Sequence, residues 1–118
     1  MKESIVGGKA FYYALRIIHL SRELDNKREF VISNQLLRCS TSIGANIEEA
    51  TAASSRKDFA CKMAIASKEA RESRYWLRLI FESKLVNRDD YPELLAEVEE
   101  IIKMLTKIVK TTQTEPNK

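Results

Sequence analysis

The sequence predicts an all-α fold: an antiparallel, up-down-up-down four-helix bundle formed by a single domain over residues 1–118. Three observations indicate it. Apolar and small residues recur every three or four positions in four long segments, which is the spacing of one helix face. Strand signals are missing, because no two-residue alternation is sustained and no Asn-Gly turn occurs. Short polar stretches join the segments, and short connections favour antiparallel neighbours.

The first helix is predicted over about residues 9–25 and closes at the polar stretch "DNKRE". Its buried stripe comprises Ala10, Ala14, Ile17, Ser21 and Leu24. The second helix is predicted over about residues 33–51, with Ser33 as its N-cap. Its stripe comprises Leu36, Ser40, Ile43, Ile47 and Ala50. Several of these side chains are small and Gly44 lies near them, so we expect a neighbouring helix to approach closely here.

The third helix is predicted over about residues 55–86, where Ser55 and Asp58 form a weak version of a capping box. Its stripe is the longest and comprises Phe59, Met63, Ala66, Ala70, Ser73, Leu77 and Ile80. The fourth helix is predicted over about residues 91–111, with Pro92 in its first turn, where a missing N–H costs little. Its buried face comprises Leu94 or Leu95, Val98, Ile101 or Ile102, Leu105 and Ile108. Residues 112–118 are expected to form a polar tail.

A second apolar set lies roughly opposite the core stripe of the third helix. It comprises Cys61, Ile65, Tyr75, Trp76, Leu79 and Val86. A helix that is apolar on two sides has a second surface to cover, so we interpret this set as the interface of a homo-oligomer. The alternative is scattered surface apolar residues, which are normal on soluble proteins.

The third helix also contains an arginine ridge, defined as Arg71, Arg74 and Arg78, which are spaced so that they share one helix face. Guanidinium groups bind phosphates through two parallel hydrogen bonds, so the ridge is a candidate nucleic-acid site. Three further cations are expected to assist it: Arg38, Arg56 and Lys57. The alternative is a solvated face, or arginines paired with glutamates of a neighbouring helix. The net charge of +3 permits nucleic-acid binding without arguing for it.

Catalytic and metal-binding patterns are missing from the sequence. The one histidine, His19, has Arg16 three residues before it, whereas a di-metal bundle needs Glu-x-x-His pairs. No phosphate loop or nucleophile motif occurs either, so we expect no metal, no cofactor and no enzymatic activity. Cys39 and Cys61 lack the C-x-x-C spacing of metal and redox sites. With no segment long enough to span a membrane and no signal peptide, we expect a cytoplasmic protein.

Three stretches together resemble a known family: "RCSTSIGANIEEA" (38–50), "SRKDF" (55–59) and "KEARESRYWLRLI" (68–80). They are similar to the bacterial four-helix-bundle proteins encoded in 23S ribosomal-RNA intervening sequences, whose hallmark is S-I-[P or G]-A-N-I-x-E. An E-x-x-Y-W-L-like run follows in that family, and here it is matched from Glu72 to Leu77. The resemblance extends from about Phe11 to Lys110. The chain resembles, more distantly, the accessory variability determinants of diversity-generating retroelements.

The resemblance implies a homopentamer with helices lining a central channel. It also implies two kinds of partner, since the retroelement relatives bind nucleic acid and a reverse transcriptase, whereas members named for the ribosomal-RNA insertion have no established activity. We therefore expect a non-enzymatic homo-oligomer that binds RNA or another nucleic acid through the arginine ridge. The alternative is an oligomeric scaffold that binds a protein partner, such as a reverse-transcriptase-like enzyme, and no nucleic acid.

Overall fold

Four α-helices make up the protein. The computed structural model describes the backbone of residues 2–114 and the side chains of residues 5–113. The helices are α1 (Lys2–Asn26), α2 (Phe30–Thr51), α3 (Arg56–Glu82) and α4 (Tyr91–Thr114), and no strand occurs within residues 2–114. Each helix packs on the next, and α4 packs back on α1, whereas α1 and α3 lie diagonally across the bundle. The all-α, four-helix prediction is confirmed.

Cross-helix side-chain pairs give the direction of each helix. On each seam that has two such pairs, the later residue of one helix meets the earlier residue of its neighbour, and on the α1–α2 seam the end of α1 meets the start of α2. The pairs are Ser21 with Ser33, Arg38 with Glu72, Glu49 with Lys62, Arg71 with Thr106, Arg74 with Glu99, Lys9 with Glu100 and Arg16 with Glu97. Neighbouring helices therefore run antiparallel, as the short connections predict.

The predicted stripes form the core, except that Ala14 of α1, which was predicted to be buried, is only half-buried. The apolar and small residues predicted for the buried faces of α2 and α4 are buried or packed against the core, and so are those of α3. Three fully buried residues of α1 were not predicted: Val6, Tyr13 and Leu20. At the predicted close approach, a methyl group built on Gly44 would lie 3.7 Å from the Cβ of Ala10. A methyl group on Gly44 would therefore be in ordinary van der Waals contact with α1.

The start of α2 differs from the prediction, since the helix begins at Phe30 and Ser33 is not its cap. Ser33 is fully buried, and its Oγ lies 2.5 Å from the Oγ of Ser21 on α1. The hydroxyl therefore joins two helices instead of satisfying a backbone N–H at a helix end. The start of α1 was also predicted too late, because the helix runs through Gly7 and Gly8 back to Lys2 and buries Val6.

The end of α3 was predicted too far along the chain. The helix ends at Glu82, and Lys84 adopts a left-handed backbone with φ of 62°. This bend lets the amide of Leu85 donate to the carbonyl of Ile80 at 3.1 Å and turns Val86 into the core, where it is 6% exposed. Assigning Val86 to an oligomer interface was therefore wrong. The polar tail also starts later than predicted, since α4 continues to Thr114; residues 115–118 lie outside the described part of the chain.

A chain of hydroxyl groups crosses the core and links three helices. The Tyr13 hydroxyl on α1 lies 2.7 Å from the Ser73 Oγ on α3, which in turn lies 2.7 Å from the Ser40 Oγ on α2. All three residues are fully buried. Burial raises the pKa of Tyr13 well above its usual range, since the charged phenolate would be desolvated there.

Candidate nucleic-acid interface and apolar surfaces

The arginine ridge faces α4, and each of its members has a different partner. Arg71 donates from Nη2 to the Thr106 Oγ1 at 3.0 Å. Arg74 donates from Nε to the Glu99 Oε2 at 2.9 Å, and Arg78 reaches Glu82 on its own helix at 3.4 Å. The ridge therefore divides into two arginines held by carboxylates and one, Arg71, held by a neutral hydroxyl.

The other predicted cations do not join the ridge. Arg38 contacts α3 from the α2 side, with Nη2 2.5 Å from the Glu72 Oε2 and Nη1 3.6 Å from the Glu69 Oε1. Trp76 donates from its indole N–H to the same Glu72 oxygen at 3.0 Å. Arg56 and Lys57 are exposed in the first turn of α3, and at 1.5 Å per residue Lys57 lies about 21 Å along the helix from Arg71.

A groove of about 410 Å³ lies between α3 and α4 beside the ridge. Its lining comprises Arg71, Arg74, Glu99, Ile102 and Lys103. Lys103 is not among the cations that the sequence predicted for this site. The signal was the run of Lys103, Lys107 and Lys110 along α4.

Three acids of α4 lie at the level of this groove, and two of them face away from it. Glu100 pairs with Lys9 at 3.2 Å and Glu97 pairs with Arg16, so both are engaged by α1 on the opposite seam. Glu99 faces α3 and is engaged by Arg74. Two of these three carboxylates are thus on the α1 side of α4. The exposed Lys103 and Lys107 make no ion pair with any residue of the described part.

The predicted apolar interface on α3 is exposed in part. Tyr75 is 56% exposed and Leu79 is 40% exposed, and Cys61 is also exposed. Ile65 is half-buried, and Trp76 is half-buried because its ring packs on the core and lies edge-on to Tyr75 at 5.1 Å. The exposed apolar surface of α3 is therefore centred on Tyr75 and Leu79.

A larger exposed apolar surface, which the sequence reasoning missed, lies on α1. Phe11 is 62% exposed and Tyr12 is 64% exposed, and their rings stack edge-on at 5.8 Å. Ile5 and Leu15 are exposed on the same helix, and at 100° per residue the four side chains fall within one third of its circumference. The signal was the run "FYYAL", in which only Tyr13 faces the core.

The two cysteines occupy contrasting environments. Cys61 is exposed, whereas Cys39 is buried beside the hydroxyl chain, and burial raises the pKa of its thiol to about 12. Neither is paired in a disulfide. Among the described residues, no group of three His, Cys, Asp or Glu side chains is arranged to hold a metal ion. No helix in residues 2–114 is both long and apolar enough to cross a membrane.

These features define a class: a small four-helix bundle with an apolar surface on each of two diagonal helices and cations along the α3–α4 seam. The family model described as "23S rRNA-intervening sequence protein" matches residues 2–107, and the chain belongs to that family. It is similar to a crystal structure of a protein of unknown function from the S23 ribosomal protein family of Bacteroides thetaiotaomicron VPI-5482. The identity is 44%, the TM-score is 0.86, and the match covers 93% of this chain and 99% of that one. No curated protein matches the sequence.

Proposed function

We propose that this protein is a non-enzymatic homo-oligomer that binds RNA or another nucleic acid through cations of α3. We also infer a cytoplasmic location, which the two unpaired cysteines support, since thiols persist in reducing compartments. The observation that supports nucleic-acid binding best is the neutral partner of Arg71. A guanidinium held by a hydroxyl keeps its positive charge uncompensated and has further N–H donors for a phosphate.

Self-assembly is supported by the placement of the two apolar surfaces. One is on α1, around Phe11 and Tyr12, and the other is on α3, around Tyr75 and Leu79. Because α1 and α3 lie diagonally across the bundle, the two surfaces face in different directions. A contact of the α1 surface of one copy with the α3 surface of the next is heterologous, and such contacts form a closed ring when the rotation between successive copies closes. The family resemblance implies that the ring contains five copies.

Complementary variants test this arrangement. Phe11→Ser disables only the α1 surface and Tyr75→Ser disables only the α3 surface, so each variant alone should lose the ring and run as a monomer. Mixed in equal amounts, the two variants retain one intact pair of surfaces and should form a dimer but nothing larger. Native mass measured by light scattering after size exclusion distinguishes these states. Rings that persist in both variants would contradict the assignment, and so would a mixture that stays monomeric.

A second function is favoured by the remaining arginines. Arg38, Arg74 and Arg78 are all engaged by carboxylates, which reduces the field available to a polyanion, while exposed aromatic residues are typical anchors in protein interfaces. The oligomer would then be a scaffold for a protein partner. Salt dependence separates the two functions, because phosphate binding releases counterions and weakens steeply as salt rises.

A further inference from the structure

We propose that the groove between α3 and α4 is a binding site for phosphate groups in a row, with Arg71 and Lys103 as its main ligands. This inference rests on the proposed nucleic-acid function and names the place at which the backbone is held. The proposed site differs from the one expected from the sequence. Arg38, Arg56 and Lys57 were expected to contribute but lie away from the groove, and Lys103 lines the groove but was not expected to contribute.

The partner of Arg71 is the first reason. A phosphate that binds Arg74 or Arg78 must compete with a carboxylate that already holds the guanidinium. Within the described residues, Arg71 has no such competitor, and the side chain that it contacts is the Thr106 hydroxyl. That bond fixes the guanidinium at the groove without neutralising it, and a side chain ordered in advance loses less entropy on binding.

The local charge is the second reason. The groove lining has three cations and one acid, Glu99, which is engaged by Arg74. The other two acids of the same stretch of α4, Glu97 and Glu100, face α1 and are paired there. The side of α4 that faces α3 is therefore positive, although the net charge of the whole helix does not show it. A cleft in which one sign of charge predominates attracts counter-ions.

The direction of the groove is the third reason. Lys107 follows Lys103 after four residues and is exposed, so the two lie about 6 Å apart along α4. Arg71 faces them from α3 across the Thr106 contact. The cations thus continue along the seam instead of converging on one point. A row of this kind suits successive phosphates of an extended strand better than a single isolated anion.

The test compares Arg71→Gln/Lys103→Gln with a matched control, Arg22→Gln/Arg28→Gln. The control removes two positive charges from exposed residues at the end of α1 and in the turn that follows it, outside the groove, so both proteins have the same net charge. Binding of labelled single-stranded oligouridylate is followed by anisotropy at several salt concentrations. With about 0.7 counterions released per phosphate contact in single strands, the groove variant should reduce the slope of log K against log salt by about 1.4. It should also bind at least tenfold more weakly at low salt, whereas the control keeps the wild-type slope.

Each outcome decides one question. Equal slopes for the groove variant and the control, with wild type binding RNA, would overturn the groove and leave the proposed function standing. Absence of binding by wild type at low salt would overturn the proposed function itself.

Tripolyphosphate titrated into ¹⁵N-labelled protein tests the groove separately. Shifts of the Ile102, Lys103 and Thr106 amides that disappear in the groove variant would support phosphate binding by the site, and unshifted amides would overturn it. Circular dichroism confirms that both variants are folded.

Discussion

Replacing Ser73 by alanine should destabilise the bundle more than any other single change in its buried hydroxyl chain. Ser73 is the central member, since its Oγ lies 2.7 Å from the Tyr13 hydroxyl on one side and 2.7 Å from the Ser40 Oγ on the other. The substitution Ser73→Ala removes both contacts and leaves a fully buried Tyr13 hydroxyl without its nearest partner. The alternative change, Tyr13→Phe, removes one contact and leaves the two serines bonded to each other.

The expected magnitudes follow from this difference. An intramolecular hydrogen bond contributes about 1 kcal/mol net, whereas a buried polar group left unsatisfied costs about 1–3 kcal/mol. We therefore expect Ser73→Ala to lower the free energy of unfolding by about 2–3 kcal/mol and Tyr13→Phe to lower it by about 1 kcal/mol. Removing all three hydroxyls in the variant Tyr13→Phe/Ser40→Ala/Ser73→Ala should cost less than Ser73→Ala alone, because no polar group is then left unsatisfied.

Urea unfolding followed by circular dichroism measures these differences, provided that the dependence on denaturant stays the same among the variants. Protein concentration must be matched, because assembly would add to the apparent stability. The order of the three variants is the informative result. If Tyr13→Phe lowers the free energy of unfolding as much as Ser73→Ala does, or if the triple variant is the least stable, then the three hydroxyls are not coupled in the way that their distances indicate.

Three further predictions concern single positions. Folding raises the pKa of the Cys39 thiol from 9.0 to about 12. Between these two pH values the unfolded chain has lost the thiol proton and the folded protein keeps it, so the free energy of unfolding should fall by about 1.4 kcal/mol per pH unit. Cys39→Ala should remove that part of the slope in pH-dependent unfolding, whereas Cys61→Ala, at an exposed position, should not. Gly44→Ala should raise the melting temperature, because alanine is about 0.5–1 kcal/mol more favourable than glycine in a helix interior. Its Cβ would lie 3.7 Å from the Cβ of Ala10, which is an ordinary contact, and a lower melting temperature would mean that α1 cannot accommodate the methyl group. Ser55→Ala should cost about 1 kcal/mol in chemical unfolding, because the Ser55 Oγ accepts an amide N–H of the first turn at 3.0 Å; no loss would mean that the cap is dispensable.

Periodicity was sufficient to predict the four helices, because every helix has to bury one stripe and the spacing of that stripe is local information. Helix ends were predicted less well. Ser33 has the chemistry of a cap, but its hydroxyl is used across the α1–α2 seam, and that seam is not visible in one segment of sequence. The position of Val86 depends on the backbone bend at Lys84. These are tertiary effects, and they outweigh local preference.

The candidate site was harder to predict than the fold for a related reason. The spacing of the arginine ridge places three guanidinium groups on one face, but their partners depend on the register between α3 and α4. That register puts Glu99 against Arg74 and Thr106 against Arg71. It also decides that Lys103 belongs to the same groove. A charge count over a sequence segment averages the two sides of α4, and the positive side becomes visible only after the helix is oriented.

The contact between Trp76 and Glu72 gives the protein an optical reporter of its own. Trp76 is the single tryptophan of the chain, and its indole N–H donates to the same carboxylate oxygen that holds Arg38. Its half-buried ring lies against Tyr75 at the exposed surface of α3. Fluorescence excited at the indole therefore comes from one defined place, where α2, α3 and a neighbouring copy would meet. Assembly, or any partner that draws Arg38 from Glu72, can be followed by emission without attaching a label.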